Sequence, residues 1–193
     1  MPDGEDFAHL VGKKAFCESP LVEDAPPTVN RPIPVPSVYC DGRGEIHNML
    51  VGSKRINILH SKQGVMRSGD LHPVTQHDFV FEGKVQVWTL QPDGSTQKRT
   101  YGPNQYVSIP PYVPHIFYFL QDTVVAEWWE ENRFYAWFYR PYRKLVDASW
   151  KPTVPGRFHQ YQQETTIASK SAFVCSGLVF GFMLGVLYSR KMR

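Results

Sequence analysis

The stretch that decides the fold runs from Phe79 to Ser95 and reads FVFEGKVQVWTLQPDGS. On both sides of Glu82-Gly83, β-branched and aromatic residues dominate, a pattern typical of two short strands. The five residues Gln91-Pro92-Asp93-Gly94-Ser95 then predict a hairpin turn, because proline presets φ and glycine accepts a positive φ. The stretch therefore indicates consecutive strands joined by tight turns.

The same pattern extends in both directions along the chain. Short segments rich in Val, Ile, Tyr and Phe recur at about ten-residue spacing between residues 38 and 130, with turns rich in Gly and Pro between them. No heptad or strand–helix–strand pattern competes with this interpretation. We therefore predict an all-β sandwich or barrel. The aromatic segment after Trp129 is expected to add a further strand or a covering segment, with a short helix near residues 141–147.

Composition narrows the class of protein. The chain has 193 residues, 42% of them hydrophobic and 20% charged, with a formal net charge of +3. This suits one domain of ordinary size with extensions, and it argues against a strongly basic nucleic-acid binder. The three cysteines, Cys17, Cys40 and Cys175, are too few and too far apart for a disulfide framework or a zinc site. A reducing compartment is expected.

Four regions are predicted from composition. Residues 1–37 form a proline-rich N-terminal arm, 38–145 the barrel, 146–169 a polar linker and 170–193 a C-terminal transmembrane anchor. Five prolines crowd the arm between residues 26 and 36. Because proline lacks an amide hydrogen and has a fixed φ, this part of the arm is expected to be extended and not helical.

The anchor is predicted from an uncharged run. Ala172 to Tyr188 contains no charged residue, and as a helix it would extend roughly 26 Å, close to the thickness of a bilayer core. Gly177, Gly181 and Gly185 share one helix face, which is typical of membrane helices that approach one another closely. A single transmembrane helix is expected, and a C-terminal amphipathic or buried helix is the alternative.

The orientation of the anchor is also a prediction. Arg190, Lys191 and Arg193 follow the apolar run, and the polar, acidic start of the chain has none of the features of a secretory signal. We expect post-translational insertion as a tail anchor, with the barrel in the cytosol. The mitochondrial outer, peroxisomal and endoplasmic reticulum membranes remain open.

Candidate site residues lie between Arg67 and His115. Asp70 and His72 are two residues apart and therefore face the same side of an extended chain. His115 follows about forty residues later, and on a closed barrel the three side chains can meet at one mouth. Two imidazoles and a carboxylate suit a divalent metal and equally suit general acid–base chemistry. Polar residues that merely line strand ends are the third interpretation.

Two runs resemble a known family. Arg67-Ser68-Gly69-Asp70-Leu71-His72, with Gln76 and Gly83 after it, resembles the first sequence motif of the cupin superfamily. Pro110-Pro111-Tyr112-Val113-Pro114-His115 resembles the second motif. The resemblance covers residues 41–130 and implies a double-stranded β-helix, the cupin jelly-roll barrel.

The resemblance also implies a set of metal ligands. Position by position, the family's ligands fall on Asp70, His72, Gln76 and His115. Aspartate here replaces a histidine of the family, and glutamine replaces a glutamate. A divalent ion (Fe, Mn, Ni or Zn) is the implied cofactor, with Gln76 as a weak, neutral ligand.

A narrower resemblance is to cupins of sugar-nucleotide and capsule biosynthesis, among them ketoisomerases and epimerases. It adds the run from Asp41 to Ile46 to the two motifs. It implies that His72 is a base, with Asp70 as its orienter or modulator. It also implies that Arg67 holds a phosphate or other anion and that Tyr112 or Tyr118 donates a proton.

Three functional classes stay open at this point. The first is an enzyme, either an isomerase acting on a small sugar-like substrate or a metal-dependent oxygenase. The second is a ligand-binding cupin without turnover, and the third is a scaffold that forms homodimers. The expected partners are the bilayer, a small molecule and a second copy. The candidate catalytic residues are Asp70, His72 and His115, and the candidate ligand-binding residues are Arg67, Gln76 and Tyr112.

Overall fold

The computed structural model describes residues 10–30, 33–131, 135–150 and 157–160. Contacts divide the chain into residues 1–160 and residues 161–193, and the description below concerns the first unit. The predicted anchor, residues 170–193, lies outside the described residues. Within the described ranges, no helix has the length and apolar character needed to span a membrane.

β-Strands are the main elements of the described chain, as predicted. Its helices are a 3₁₀ helix, Lys14–Glu18, and two α-helices, α1 Pro27–Asn30 and α2 Arg140–Ser149. The strands are β1 Val22–Asp24, β2 Ser37–Asp41, β3 Gly44–Val51, β4 Lys54–Ser61, β5 Met66–Leu71, β6 Gln76–Glu82, β7 Val85–Leu90, β8 Thr96–Tyr101, β9 Gln105–Ile109, β10 His115–Phe119, β11 Thr123–Trp129, β12 Trp137–Tyr139 and β13 Arg157–Gln160.

The strands form two antiparallel sheets. The six-stranded sheet has the order β1-β12-β5-β10-β7-β8, and the seven-stranded sheet has the order β13-β2-β3-β4-β11-β6-β9. These orders follow from one long antiparallel ribbon, in which β4, β5, β6 and β7 pair with β11, β10, β9 and β8, respectively. Winding of this ribbon adds the pairs β6·β11 and β7·β10. This double winding is consistent with the jelly roll expected of a cupin.

The turns in the stretch from Phe79 to Ser95 explain why glycine stands where it does. Gly83 joins β6 to β7 at φ 81°, and a Cβ there would lie 2.1 Å from the carbonyl oxygen of Asp122. The predicted hairpin turn joins β7 to β8, where the Gln91 N–H donates to the Ser95 carbonyl at 2.8 Å. Gly94 takes the positive φ, 78°, that the turn requires.

The space between the two sheets is filled in part by an apolar core. Strand alternation sends every second side chain inward, and the inward residues of β6, β7, β9, β10 and β11 pack together. The core residues are Val80, Val85, Val87, Val107, Ile109, Phe117, Phe119 and Val125. The remaining inward positions, nearer β2 to β5, are polar and form the site described below.

A second apolar cluster covers the outer side of the six-stranded sheet. Helix α2 packs on β5, β10 and β12, and its Tyr142 and Val146 are buried there. Phe16 of the 3₁₀ helix is fully buried against Tyr139, with ring centroids 5.8 Å apart. The helix expected near residues 141–147 is thus α2, with proline in its first turn, where a missing amide hydrogen does no harm.

The N-terminal arm corrects one expectation. Residues 27–30 form the short helix α1, so the prediction of a non-helical chain was wrong there. Proline at the first helical position has a suitable φ, and its missing N–H would have no partner in any case. The Asn30 side chain fastens this segment by donating to the Ala136 carbonyl and accepting from the Ala136 N–H, at 3.1 and 2.9 Å. The arm also supplies β1, which pairs with β12.

Candidate metal and ligand site

A β-bulge in β5 aims the first site residues into the barrel. Ser68 and Gly69 both have positive φ, 70° and 81°, and the pairing with β10 shifts register there. The extra residue lets Arg67 and Asp70, three positions apart, both face the interior. At Gly69 a Cβ would lie 3.0 Å from the Arg143 Cα of α2, so the bulge and the covering helix fit together only with glycine there.

Asp70, His72 and His115 meet inside the barrel. Asp70 Oδ1 lies 3.5 Å from His115 Nε2 and 3.8 Å from His72 Nε2. One potential ligand atom from each residue lies within 4.8 Å of the others. The three residues come from β5, the residue just after it and the first residue of β10, which pairs with β5. Strand pairing alone therefore brings together residues that are 45 positions apart.

The hydrogen bonds of the two imidazoles define which nitrogen faces Asp70. His72 Nδ1 lies 2.8 Å from the Tyr135 carbonyl oxygen, and His115 Nδ1 lies 3.0 Å from that of Val113. A carbonyl only accepts, so Nδ1 of each ring is the donor. In the neutral ring, Nε2 then carries a lone pair directed toward the cluster.

Burial keeps the His115 ring neutral. Desolvation lowers the pKa of His115 to about 4, so its ring is neutral near pH 7. Asp70 Oδ1 and His115 Nε2 are buried and have no hydrogen-bond partner among the described residues. Acceptor atoms that face one another without a donor are costly in a protein interior, and a cation between them removes that cost. The residues therefore fit a divalent metal.

The spacing agrees with this fit. Metal ligands about 2.0–2.2 Å from an ion lie roughly 3.0–3.5 Å from one another. The two separations from Asp70 Oδ1, 3.5 and 3.8 Å, are at or just above the upper end. A movement of a few tenths of an ångström would close them, within the reach of side-chain torsions.

Beside this cluster lies a pair of carboxyls, with Asp78 buried and Glu127 half-buried at the wall of a cavity. The Gln76 amide Nε2 donates to both oxygens of Asp78, at 3.3 and 3.2 Å, and to Glu127 Oε1 at 3.3 Å. Asn57 donates to Glu127 Oε2 at 3.0 Å. Burial raises the pKa of Asp78 and that of Glu127, and the charge of Glu127 adds to the effect on Asp78. Arg67 acts against this rise at Glu127, but burial is the larger effect.

The site opens into a cavity of about 470 Å³ between the sheets. Asp70, His72, Glu127 and Trp129 line it, whereas His115 is fully buried beside it. The Trp129 ring packs edge-on against His72, with centroids 5.5 Å apart. The cavity wall therefore includes two members of the candidate metal cluster and one further carboxyl.

Arg67 places a positive charge in the same cavity. Its Nε donates to Ser61 Oγ at 2.9 Å, whereas its Nη2 is buried without a hydrogen-bond partner among the described residues. Asp41 lies 3.9 Å from Nη2, but its carboxylate already accepts from Arg43 at 3.0 and 2.6 Å. Desolvation lowers the pKa of Arg67 to about 10, so it remains charged at neutral pH. A buried guanidinium with a free donor fits an oxyanion.

Two more guanidiniums lie at the cavity wall, each over an aromatic ring. Arg43 stands 4.4 Å above Trp150, and Arg143 stands 4.4 Å above Phe138. All four residues line the cavity. Both guanidiniums are ion-paired, Arg43 with Asp41 at 2.6 Å and Arg143 with Asp147 at 2.7 Å. The donor offered to an anionic ligand is therefore the buried Nη2 of Arg67.

The predicted site residues do not all meet. Arg67, Asp70 and His72 line the cavity and His115 joins them, as expected from the convergence at one mouth. Gln76 is buried but absent from the cavity wall, and its amide nitrogen serves the two carboxyls.

Tyr112 also lies elsewhere. Its φ is 60°, and its ring packs on Trp137 in the cluster over the six-stranded sheet, with centroids 5.9 Å apart. Its main chain contacts the site, because its N–H donates to the His72 carbonyl at 2.7 Å. The residue thus positions the backbone of His72, and its ring is not among those that line the cavity.

Sequence reasoning missed Glu127 and its neighbours. Within β11, Val125, Glu127 and Trp129 alternate inward. A carboxylate at an inward position of an otherwise apolar strand was the available signal, since charged residues are rarely buried without a role or a partner. Asp78 of β6 carried the same signal, and it too is buried.

Comparison with known proteins finds matches among solved structures only. No protein-family model matches the chain, and no curated protein matches it. Among solved structures, the capsular polysaccharide assembling protein CapF from Staphylococcus aureus is 20% identical with a TM-score of 0.47, over 52% of this chain and 31% of that one. The oxalate decarboxylase formate complex from Lactobacillus farciminis is 15% identical with a TM-score of 0.46, over 53% and 32%. A tryptophan-to-phenylalanine variant of oxalate decarboxylase from Bacillus subtilis is 12% identical with a TM-score of 0.47, over 57% and 34%.

The present chain thus spans about a third of the length of each of these proteins. The fold itself is defined by the strand pairing: two antiparallel sheets in a double-wound arrangement, consistent with a cupin jelly roll. The cluster of Asp70, His72 and His115 gives this barrel a possible metal site.

Proposed function

We propose that the barrel binds a divalent metal ion through Asp70, His72 and His115 and a small anionic molecule beside it. One observation carries the proposal. Three acceptor atoms meet in a buried cluster, and the two imidazoles are held by main-chain carbonyls with Nε2 facing the carboxylate. Imidazole rings fixed through their second nitrogen are usual in metal sites.

The donor set favours one metal above the others. Two histidines and one carboxylate are the ligands of many non-haem iron(II) proteins, although manganese, nickel and zinc accept the same donors. Bound there, such an ion would supply Lewis acidity and, in the case of iron, one-electron chemistry.

The remaining residues act on the ligand and on its protons. Arg67 binds an anionic group through its free Nη2. Glu127, whose pKa is raised mainly by burial, stands at the cavity wall, where it can exchange a proton with a bound ligand. Trp129 shields His72 from water on one side.

A metal-free acid–base enzyme is less well supported. A carboxylate that orients a catalytic histidine makes a hydrogen bond to it, whereas 3.8 Å separates Asp70 Oδ1 from His72 Nε2. A hydroxyl-rich, sugar-like ligand remains the second candidate for the cavity, because Asn48, Asn57 and Glu127 give its wall polar groups.

Metal content of the full chain tests the proposal. The chain is purified in mild detergent, stripped of metal and titrated with Fe(II) without oxygen and with Mn(II). We expect about one ion per chain, and we expect His115→Ala to weaken binding by about 100-fold. His77→Ala is the matched control, because His77 stacks on Trp128 outside the barrel. Stoichiometric metal in His115→Ala, or none in the natural chain, contradicts the proposal.

The same preparations test the anion site, with oxalate and a hexose phosphate as probes. Arg67→Met is expected to keep the metal but to lose at least ten-fold in affinity for the anion, measured as the shift in melting temperature with ligand concentration. Arg99→Met, an exposed arginine of β8, is the control. Equal affinities in the two variants would argue against a role for Arg67.

We also propose, from the sequence alone, that residues 170–193 anchor the chain in a membrane with the barrel in the cytosol. The uncharged run from Ala172 to Tyr188 supports this proposal. The full chain should then stay with cell membranes in alkaline carbonate and be released by detergent. Release by carbonate alone is the contrary result.

A further inference from the structure

The outward side of the seven-stranded sheet is a second feature to which the proposed function assigns no role. Along β3, β4, β6, β9 and β11, the residues that alternate with the inward ones form this surface, here called the open face. Its apolar members are Met49, Val51, Ile56, Ile58, Phe79, Phe81, Tyr106, Val124, Ala126 and Trp128.

The register aligns these residues in rows across the sheet. Tyr106 lies opposite Phe79, Phe79 opposite Ala126, and Ala126 opposite Ile58. Ile58 in turn lies opposite His47 of β3. Four adjacent strands thus present one continuous apolar row, a pattern usual for a sheet face that is packed against something.

The described residues leave this face partly exposed. Tyr106 is 51% exposed and Phe81 is 48% exposed, values high for large apolar side chains. His77, Tyr106 and Trp128 stack on one another there, with centroids 5.5 to 6.2 Å apart. Large exposed apolar patches of this kind mark interaction sites.

We infer that the open face is a dimer interface and that its partner is a second copy of this chain, packed sheet on sheet. A face used by two identical copies must complement itself, and a nearly flat sheet meets that condition. Five strands about 4.8 Å apart and about seven residues long give a flat area of roughly 550 Å² before side-chain relief. Side-chain relief brings this near the roughly 800 Å² that each partner of a stable complex buries.

The charges on the face favour a second copy over a lipid surface. Outside its histidines, the open face carries Lys54 and Glu45, one charge of each sign. The Lys54 ammonium is held by the main-chain carbonyls of Trp129 and Glu130. A surface without excess positive charge has no electrostatic attraction to anionic lipids. Because the charges of Lys54 and Glu45 balance, two copies of the face do not repel each other.

The inference is tested by the mass of the full chain in mild detergent, measured by light scattering at about 1 and about 50 μM protein. We expect a dimer of the 22.2 kDa chain at the higher concentration. Ile58→Lys, at the β4 end of the apolar row, should raise the dissociation constant at least 100-fold. Thr100→Lys adds the same charge to an exposed position of β8 and should leave the mass unchanged.

Phe81→Lys is a second variant of the open face, in case Ile58→Lys fails to fold. Because Phe81 is half exposed near the end of its strand, a lysine there is expected to leave the fold intact. Melting temperature and metal content report whether each variant is folded. A monomeric natural chain at 50 μM, or folded Ile58→Lys and Phe81→Lys variants that remain dimeric, would overturn the inference. So would a monomer whose open face binds neutral phosphatidylcholine vesicles or is shielded by residues 161–193 of its own chain.

Discussion

The outer faces of the two sheets differ in what covers them. On the six-stranded sheet, α2 and the 3₁₀ helix bury Phe16, Leu71, Ile116 and Val146 completely. On the seven-stranded sheet, side chains of similar size, such as Phe81 and Tyr106, stay about half exposed. Both faces carry apolar side chains, a pattern typical of surfaces that are buried. The covered face is buried within the chain, and we propose that the open face is buried by a second copy.

The two faces are expected to affect the stability of the fold in different ways. Apolar surface buried within one chain stabilises the fold at any protein concentration. Surface buried between chains stabilises it only where the chains associate. The same phenylalanine truncation on the two faces should therefore have different consequences.

The largest expected effect is on the covered face. Phe16→Ala removes a fully buried ring and should lower the free energy of unfolding by about 3–5 kcal/mol. Phe81→Ala, its counterpart on the open face, should cost under about 1 kcal/mol in dilute protein. Urea unfolding of the full chain in mild detergent, at about 1 and about 50 μM, measures both.

The dependence of these losses on protein concentration tests the proposed difference between the two faces. The loss in Phe16→Ala should be the same at both concentrations, because its partners belong to the same chain. The loss in Phe81→Ala should grow with concentration, because it weakens the dimer. Equal behaviour of the two variants would show that the faces are not used differently.

A smaller change in the free energy of unfolding, a gain instead of a loss, is expected on the inner side of the seven-stranded sheet. Burial and Glu127 raise the pKa of Asp78 above its ordinary value. The unfolded chain therefore loses this proton at lower pH than the folded chain does, and stability falls as pH rises from about 4 toward the raised pKa. Asp78→Asn removes this penalty and should stabilise the protein by about 1–3 kcal/mol at pH 8.

The pH dependence distinguishes this cause from simple packing. The gain in Asp78→Asn should shrink toward pH 4, where both carboxyls of the natural chain are largely protonated in the folded state and partly so in the unfolded state. Melting temperatures at pH 8 and pH 4 provide the measurement, with Asp122→Asn in an exposed turn as the control. A gain of the same size at both pH values would rule out a buried charge as its origin.

The candidate site was only partly predictable. Alternation along one strand predicted that Asp70 and His72 share a side, and the expected closed barrel predicted that His115 meets them, as the pairing of β5 with β10 has it. The role of Gln76 was not visible, since it depends on Asp78 and Glu127, and Glu127 reaches it from another strand. The position of Tyr112 depended on a positive φ, which a tyrosine in a proline-rich loop does not reveal.

By itself, the sequence determined the antiparallel strands, the hairpin turn at residues 91–95, the helix near 141–147 and the residues Asp70, His72 and His115, because each follows from local alternation, turn chemistry or motif spacing. Only the tertiary structure decided that Arg67 and Asp70 share the interior, through the bulge at Gly69, and that Glu127 lies beside them. It also decided that one apolar sheet face is covered and the other open. Alternation shows that a strand has an apolar side, whereas only the packing of distant segments determines what meets that side.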